Sequence, residues 1–79
     1  MELKRDNTGY YYQTLKGIYR IYTLKNDEKV VIFAEYEHDG GIEEKFVNWL
    51  YMSDFENNAE EYKEDIALMV SEYEANENG

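Results

Sequence analysis

The chain of 79 residues contains no cysteine and no proline, and it has a single histidine. Without cysteine there are no disulfides and no thiolate metal sites, so packing alone must stabilise the fold, and a reducing compartment is compatible with this composition. No stretch approaches the roughly 18 consecutive apolar residues of a membrane-spanning helix, and residues 1–7 lack the apolar core of a signal peptide. We therefore expect a cytoplasmic protein.

The composition predicts one small folded domain. Hydrophobic residues make up 43% of the chain and aromatic residues 16%, which is too apolar for a disordered segment. The chain contains no proline- or serine-rich linker and no internal repeat. We predict a single domain over residues 1–79, frayed at 1–8 and 76–79, that is too small to enclose a deep active site.

The first half of the chain has the pattern of an antiparallel sheet. It is rich in β-branched and aromatic residues, and turn signals occur at Lys16-Gly17 and Asn26-Asp27. Apolar and polar residues alternate with a period of two in the segments between these turns. The pattern predicts three strands, at about 10–15, 18–24 and 29–36.

The second half has apolar residues at helical spacing. Ile42, Phe46, Trp49 and Leu50 would share one stripe of a helix at about 42–52. A capping-box pattern from Ser53 to Glu56, with Asn57 and Asn58 as rival caps, predicts a break and a second helix that starts at 54 or 58 and ends at about 75. The predicted fold class is therefore α+β, with a three-stranded sheet followed by two helices.

Enzymatic and metal sites are poorly supported by the sequence. His38 lies between two acids at a predicted turn, and no positioned nucleophile accompanies it. Asp54, Glu56, Asn58 and Asp65 match positions 1, 3, 5 and 12 of a calcium loop, but Ala59 stands where that loop needs glycine. There is no glycine-rich phosphate loop. We predict no enzymatic activity, no catalytic residues, no metal and no cofactor.

Negative charge is concentrated in the second half of the chain. Residues 1–40 contain seven acids and six bases, whereas residues 41–79 contain eleven acids and two bases, and the formal net charge of the whole chain is −10. This charge disfavours binding to nucleic acid or to anionic membranes. It suits a partner protein that has a basic nucleic-acid-binding surface. The densest group of acids is Glu60, Glu61, Glu64 and Asp65.

One segment resembles a known group of inhibitors. Glu44-Lys45-Phe46-Val47, followed by Trp49, an acidic break and Glu60-Glu61-Tyr62, is similar to the small acidic phage-encoded anti-CRISPR proteins. The likeness covers about residues 29–66, although this chain has no clear helix before its first strand and Lys63 interrupts the acidic run. The resemblance implies a DNA mimic whose carboxylates occupy the basic cleft of a CRISPR nuclease. The acids that match this segment are Asp54, Glu56, Glu60 and Glu61.

We therefore predict a small acidic inhibitor that binds a CRISPR nuclease, or another host DNA-processing or defence protein, by DNA mimicry. It would act in the cytoplasm of the host cell if a phage encodes it. The predicted partner-binding residues are Asp54, Glu56, Glu60, Glu61, Glu64 and Asp65.

The alternative is a structural or regulatory protein-interaction module, possible as a homodimer, whose acids serve only solubility. Such a module would use exposed tyrosines and the apolar stripe of the last helix. Three consecutive residues of a strand, such as Tyr10, Tyr11 and Tyr12, cannot all point to one side, so at least one ring is exposed or at an interface, and this is equally consistent with contact to a different protein and with a homodimer.

Overall fold

The computed structural model describes residues 3–24 and 28–78, and of residues 77 and 78 only the backbone. The described part of the chain forms five strands and one helix. They are β1 (Leu3–Asp6), β2 (Gly9–Thr14), β3 (Gly17–Leu24), β4 (Lys29–His38), β5 (Gly41–Tyr51) and α1 (Phe55–Asn78).

The strands form one antiparallel sheet in the order β1-β2-β3-β4-β5, so each strand pairs with the next one along the chain. Tight turns make this possible. Gly9 and Gly41, which begin β2 and β5, have φ angles of 127° and 123°, a region that side chains with a Cβ rarely adopt. The predicted turn at Asn26-Asp27 lies outside the described residues.

The predicted arrangement of three strands and two helices is wrong. The three predicted strands correspond to β2, β3 and β4, but the sheet also contains β1, and the segment predicted as a helix at 42–52 is β5. This segment pairs with β4 along its length, from His38 opposite Gly41 to Lys29 opposite Tyr51.

A β-bulge explains why β5 has apolar residues at helical spacing. Ile32 pairs with Asn48 and Phe33 pairs with Phe46, so Val47 is an extra residue in β5. The extra residue shifts the alternation by one position, and Phe46 and Trp49, three residues apart, therefore lie on the same face of the sheet. Ile42, Phe46 and Trp49 therefore have the spacing i, i+4, i+7 of a helix although they lie in a strand.

The remaining helical segment forms one helix with a kink. Asp54, with a φ of 55°, precedes α1, and its backbone oxygen accepts hydrogen bonds from the backbone N–H groups of Asn57 (3.2 Å) and Asn58 (3.1 Å). The non-helical φ/ψ of Asn58, −123° and 22°, marks the kink. A break was predicted between 53 and 58, as the boundary between two helices. In the structure this break separates the strand β5 from the helix α1.

The core lies between α1 and one face of the sheet. Phe55, Ile66 and Val70 of α1 are buried against Ile32 and other side chains of the central strands. The ring of Tyr10 meets that of Phe55 edge-to-face, with 5.2 Å between the ring centroids. In the described part of the chain, no other element lies over the opposite face of the sheet.

Replacing Ile66 by alanine should lower the free energy of unfolding by about 3 kcal/mol, because it removes a fully buried side chain and leaves a cavity. The matched control is Leu68→Ala, since Leu68 lies two residues further along α1 and is 57% exposed; this change should cost less than about 0.5 kcal/mol. Urea unfolding followed by circular dichroism measures both. Equal losses would contradict the packing of α1 described above.

Candidate binding surfaces

The face of the sheet opposite α1 is here called the open face. Paired residues of neighbouring strands point to the same side of a sheet, so the strand register defines this face. A central row crosses it through Lys4, Tyr11, Arg20, Phe33 and Phe46. Further rows contain Tyr22, Val31 and Trp49; Leu24, Lys29 and Tyr51; Glu35 and Glu44; and Glu37 and Ile42.

Large apolar side chains of β5 are exposed on the open face. The exposed fraction is 64% for Ile42, 53% for Phe46, 45% for Trp49 and 70% for Tyr51. The rings contact one another: the centroids of Phe33 and Phe46 are 6.0 Å apart, and those of Trp49 and Tyr51 are 5.1 Å apart. A contiguous exposed patch of this kind on a small protein indicates an interaction surface.

The charges in the middle of the open face are paired with one another. The guanidinium of Arg20 donates hydrogen bonds to Glu35 Oε1 (2.7 Å) and to Asp6 Oδ1 (2.9 Å), and it lies over the ring of Tyr11. The hydrogen bond to Glu35 is the main cause of a raised Arg20 pKa. Hydrogen bonding, above all from the Thr8 hydroxyl, lowers the pKa of Asp6. Covering Arg20, Asp6 and Glu35 therefore leaves none of these three charges without a partner.

Tyr22 connects β3 to β5 across the open face. Its hydroxyl donates a hydrogen bond to Glu44 Oε2 (2.6 Å), and its ring meets that of Phe33 edge-to-face at 5.6 Å. The hydrogen bond to Glu44, together with partial burial, raises the pKa of Tyr22 to about 12. Two aromatic rings and a carboxylate are thereby held in fixed positions.

The remaining charges lie towards opposite ends of the open face. Lys29 is at one end, where its Nζ atom is 5.2 Å from the ring centroid of Trp49 and 5.3 Å from that of Tyr51. Glu35 and Glu44 lie beyond the central row in the other direction, and Glu37 lies one row further. The face is therefore basic at one end and acidic at the other.

The second surface is the outward side of α1. Glu60, Glu61, Glu64 and Asp65 are all exposed there, on the side away from the buried Ile66. Lys63 Nζ lies 3.0 Å from Glu60 Oε2 and offsets part of the charge. The structure thus brings together four of the six residues predicted to bind a partner.

The other two predicted residues have contacts within the protein. Asp54 Oδ1 accepts a hydrogen bond from the side-chain amide of Asn57 (2.9 Å), and Glu56 Oε2 lies 3.6 Å from Arg5 Nη2. Both therefore help to fix the start of α1. They lie at its first turn and not on the stretch that carries Glu60 to Asp65.

A hollow of about 480 Å³ lies beside the end of the sheet and is lined by residues such as Lys16, Lys45 and Glu74. Glu74 Oε2 accepts hydrogen bonds from the hydroxyls of Thr14 (2.6 Å) and Tyr19 (2.7 Å), so this carboxylate attaches α1 to the sheet.

His38 lies on β4, where its Nε2 atom is 2.8 Å from Glu43 Oε1. The described residues contain no group of three or more His, Asp or Glu side chains that could hold a metal ion.

The open face was not predicted from the sequence, because a helix at 42–52 would bury Phe46 and Trp49 against the sheet. One signal was present in β4. Val31 and Phe33 alternate there with Val30 and Ile32, so both sides of this strand are apolar. A strand that is apolar on both sides needs a second covering layer, or it exposes one face.

Comparisons of this chain with protein-family models, with curated proteins and with solved structures found no match. The resemblance to anti-CRISPR proteins thus stays a prediction from the sequence. No helix in the described part of the chain is long and apolar enough to span a membrane.

Replacing Tyr22 by phenylalanine should lower the free energy of unfolding by about 1 kcal/mol at pH 8, because the hydrogen bond to Glu44 is lost. Because the pKa of Tyr22 is raised in the folded protein, the stabilisation by this hydrogen bond is complete below pH 10 in the wild type. It is lost as the pH rises towards about 12, where the Tyr22 hydroxyl ionises. The difference between the two proteins should therefore shrink above pH 10. Urea unfolding at pH 8 and pH 11 measures it, and a constant difference would argue against this bond.

Proposed function

We propose that this protein is a non-enzymatic protein-interaction module that binds through its open face. The observation that carries the proposal is that three exposed aromatic side chains of β5, Phe46, Trp49 and Tyr51, lie in neighbouring rows of the open face. Aromatic residues and arginine are the side chains most enriched in the cores of protein interfaces. Rings that already contact one another lose little conformational freedom on binding.

The charge pattern favours a protein over a nucleic acid as the partner. Single-stranded nucleic acids also stack on aromatic residues, but such sites add a positively charged groove along the phosphate backbone. Two of the three described cations of the open face are engaged within the protein: Arg20 with Asp6 and Glu35, and Lys29 with two aromatic rings. A formal net charge of −10 opposes a polyphosphate further.

Site-specific photo-crosslinking tests this function. A photoreactive phenylalanine analogue is placed at Phe46 on the open face or, as the matched control, at Leu15, which is 96% exposed in the turn between β2 and β3. In cells that produce the protein, the analogue at position 46 should give a discrete crosslinked product on a denaturing gel, and the analogue at position 15 should not. Absence of a product at 46, with equal protein levels, would refute the function of the open face.

A second candidate function is the DNA mimicry that the sequence predicts. The observation in its favour is the charge of α1, which contains eight acids and one lysine over 24 residues. A helix of this length extends about 36 Å, along which one nucleic-acid strand carries about eleven phosphates. In this proposal the outward acids of α1 occupy the basic DNA-binding cleft of a CRISPR nuclease or of another DNA-processing or defence protein, and DNA is displaced by competition.

Charge reversal tests the second candidate. The probe is a purified guide-loaded CRISPR nuclease, and the measurement is its binding to labelled target DNA. The wild-type protein should reduce DNA binding, more strongly at low salt, and reversal of Glu60, Glu61 and Glu64 to lysine should abolish the effect. The control reverses Glu28, Asp39 and Glu43, which are exposed outside α1, and changes the net charge equally. Equal inhibition by both triple variants would exclude α1 as the binding site.

A further inference from the structure

We propose that the occupant of the open face is a second copy of this chain, packed face to face so that β4 runs antiparallel to β4 of the partner. This inference rests on the proposed function of the open face and names its partner. The two-fold axis lies between the two sheets, perpendicular to the strands, along the central row that contains Phe33 and Phe46. Each strand then faces the same strand of the partner in the opposite direction.

The distribution of charge over the molecule favours this packing. The described charges of the open face are nearly balanced: the cations are Lys4, Arg20 and Lys29, and the anions are Asp6, Glu35, Glu37 and Glu44. The strongly acidic element, α1, lies on the opposite side of the sheet. Two stacked sheets are about 10 Å apart, so the two α1 helices on their outer sides are separated by more than the Debye length of about 8 Å.

The charges along β4 select the antiparallel orientation. Lys29 and Glu37 lie four residues on either side of Phe33, about 13 Å from it at the rise of a β-strand. Rotation about the Phe33 row places Lys29 of each copy opposite Glu37 of the other copy. The parallel orientation would instead place Lys29 opposite Lys29 and Glu37 opposite Glu37, which is unfavourable.

The same rotation matches the exposed side chains of β5. Tyr51 pairs with Lys29 in the sheet and Ile42 pairs with Glu37, so these two residues lie at opposite ends of the open face. In the antiparallel dimer each Tyr51 meets Ile42 of the other copy, and both apolar side chains leave water. Trp49 lies opposite Glu44 of the other copy, where its indole N–H can donate to a carboxylate.

The size of the open face is sufficient for a specific dimer. Five strands spaced about 4.8 Å apart and averaging about eight residues give a face of about 24 by 26 Å, or about 600 Å² per copy. Two copies together would bury about 1,200 Å², which lies at the lower end of the range for specific protein interfaces. A weak to moderate dimer is expected.

The experiment is sedimentation velocity of the purified chain over a range of concentrations. The wild type should shift from monomer to dimer. Lys29→Glu and Glu37→Lys should each raise the dissociation constant about ten-fold, because each creates two like-charge contacts per dimer. The double variant K29E/E37K should regain most of the affinity, since it exchanges the two charges. The control is K63E/E72K, a charge exchange on α1, which should leave the dissociation constant unchanged.

A wild type that stays monomeric at every concentration overturns the proposed dimer. A dimer whose affinity neither single reversal changes overturns the open face as its interface. Single reversals that weaken the dimer without recovery in the double variant overturn the antiparallel orientation. Circular dichroism of each variant verifies that it is folded. If the chain is a monomer and position 46 crosslinks to a different protein, the second copy is overturned as the occupant but the proposed function of the open face stands. If the chain is a monomer and position 46 gives no crosslink, both the dimer and the proposed function are overturned.

Discussion

The fold depends on one constraint: a single helix can cover only one face of a five-stranded sheet. The buried side chains of α1, including Phe55, Ile66 and Val70, pack against the same side of the central strands, and this contact forms the hydrophobic core. The chain supplies no second helix for the other side within the described residues, because the segment that would provide it is β5. The exposed aromatic surface is thus a direct result of how the chain divides into strands and helix.

Sequence patterns predicted the parts of the fold whose period is regular. The alternation in β2, β3 and β4 and the helical spacing from Ala59 to Tyr73 indicated the correct elements, although the end of α1 lies three residues beyond the prediction. The spacing in β5 was misleading because the bulge at Val47 interrupts the alternation. No single-chain pattern distinguishes such a bulged strand from a short amphipathic helix, since the difference lies in its pairing with β4.

The same distinction applies to the candidate surfaces. Clustering of Glu60, Glu61, Glu64 and Asp65 follows from helical geometry alone, so the sequence was sufficient to place them together. The open face depends on which strands are neighbours, and the sequence pattern therefore did not predict it. The two surfaces lie on opposite sides of one sheet, so a dimer formed through the open face would leave both copies of α1 accessible, and the two proposed functions are compatible.

The bulge in β5 also affects how the protein avoids aggregation. β5 is both the longest strand and an edge of the sheet, and a long regular edge offers unpaired backbone groups to which strands of other molecules can add without limit. The extra residue at Val47 breaks the regular repeat of those groups near the middle of the strand. Growth of filaments by strand addition at this edge is thereby hindered, which is compatible with the closed dimer proposed above.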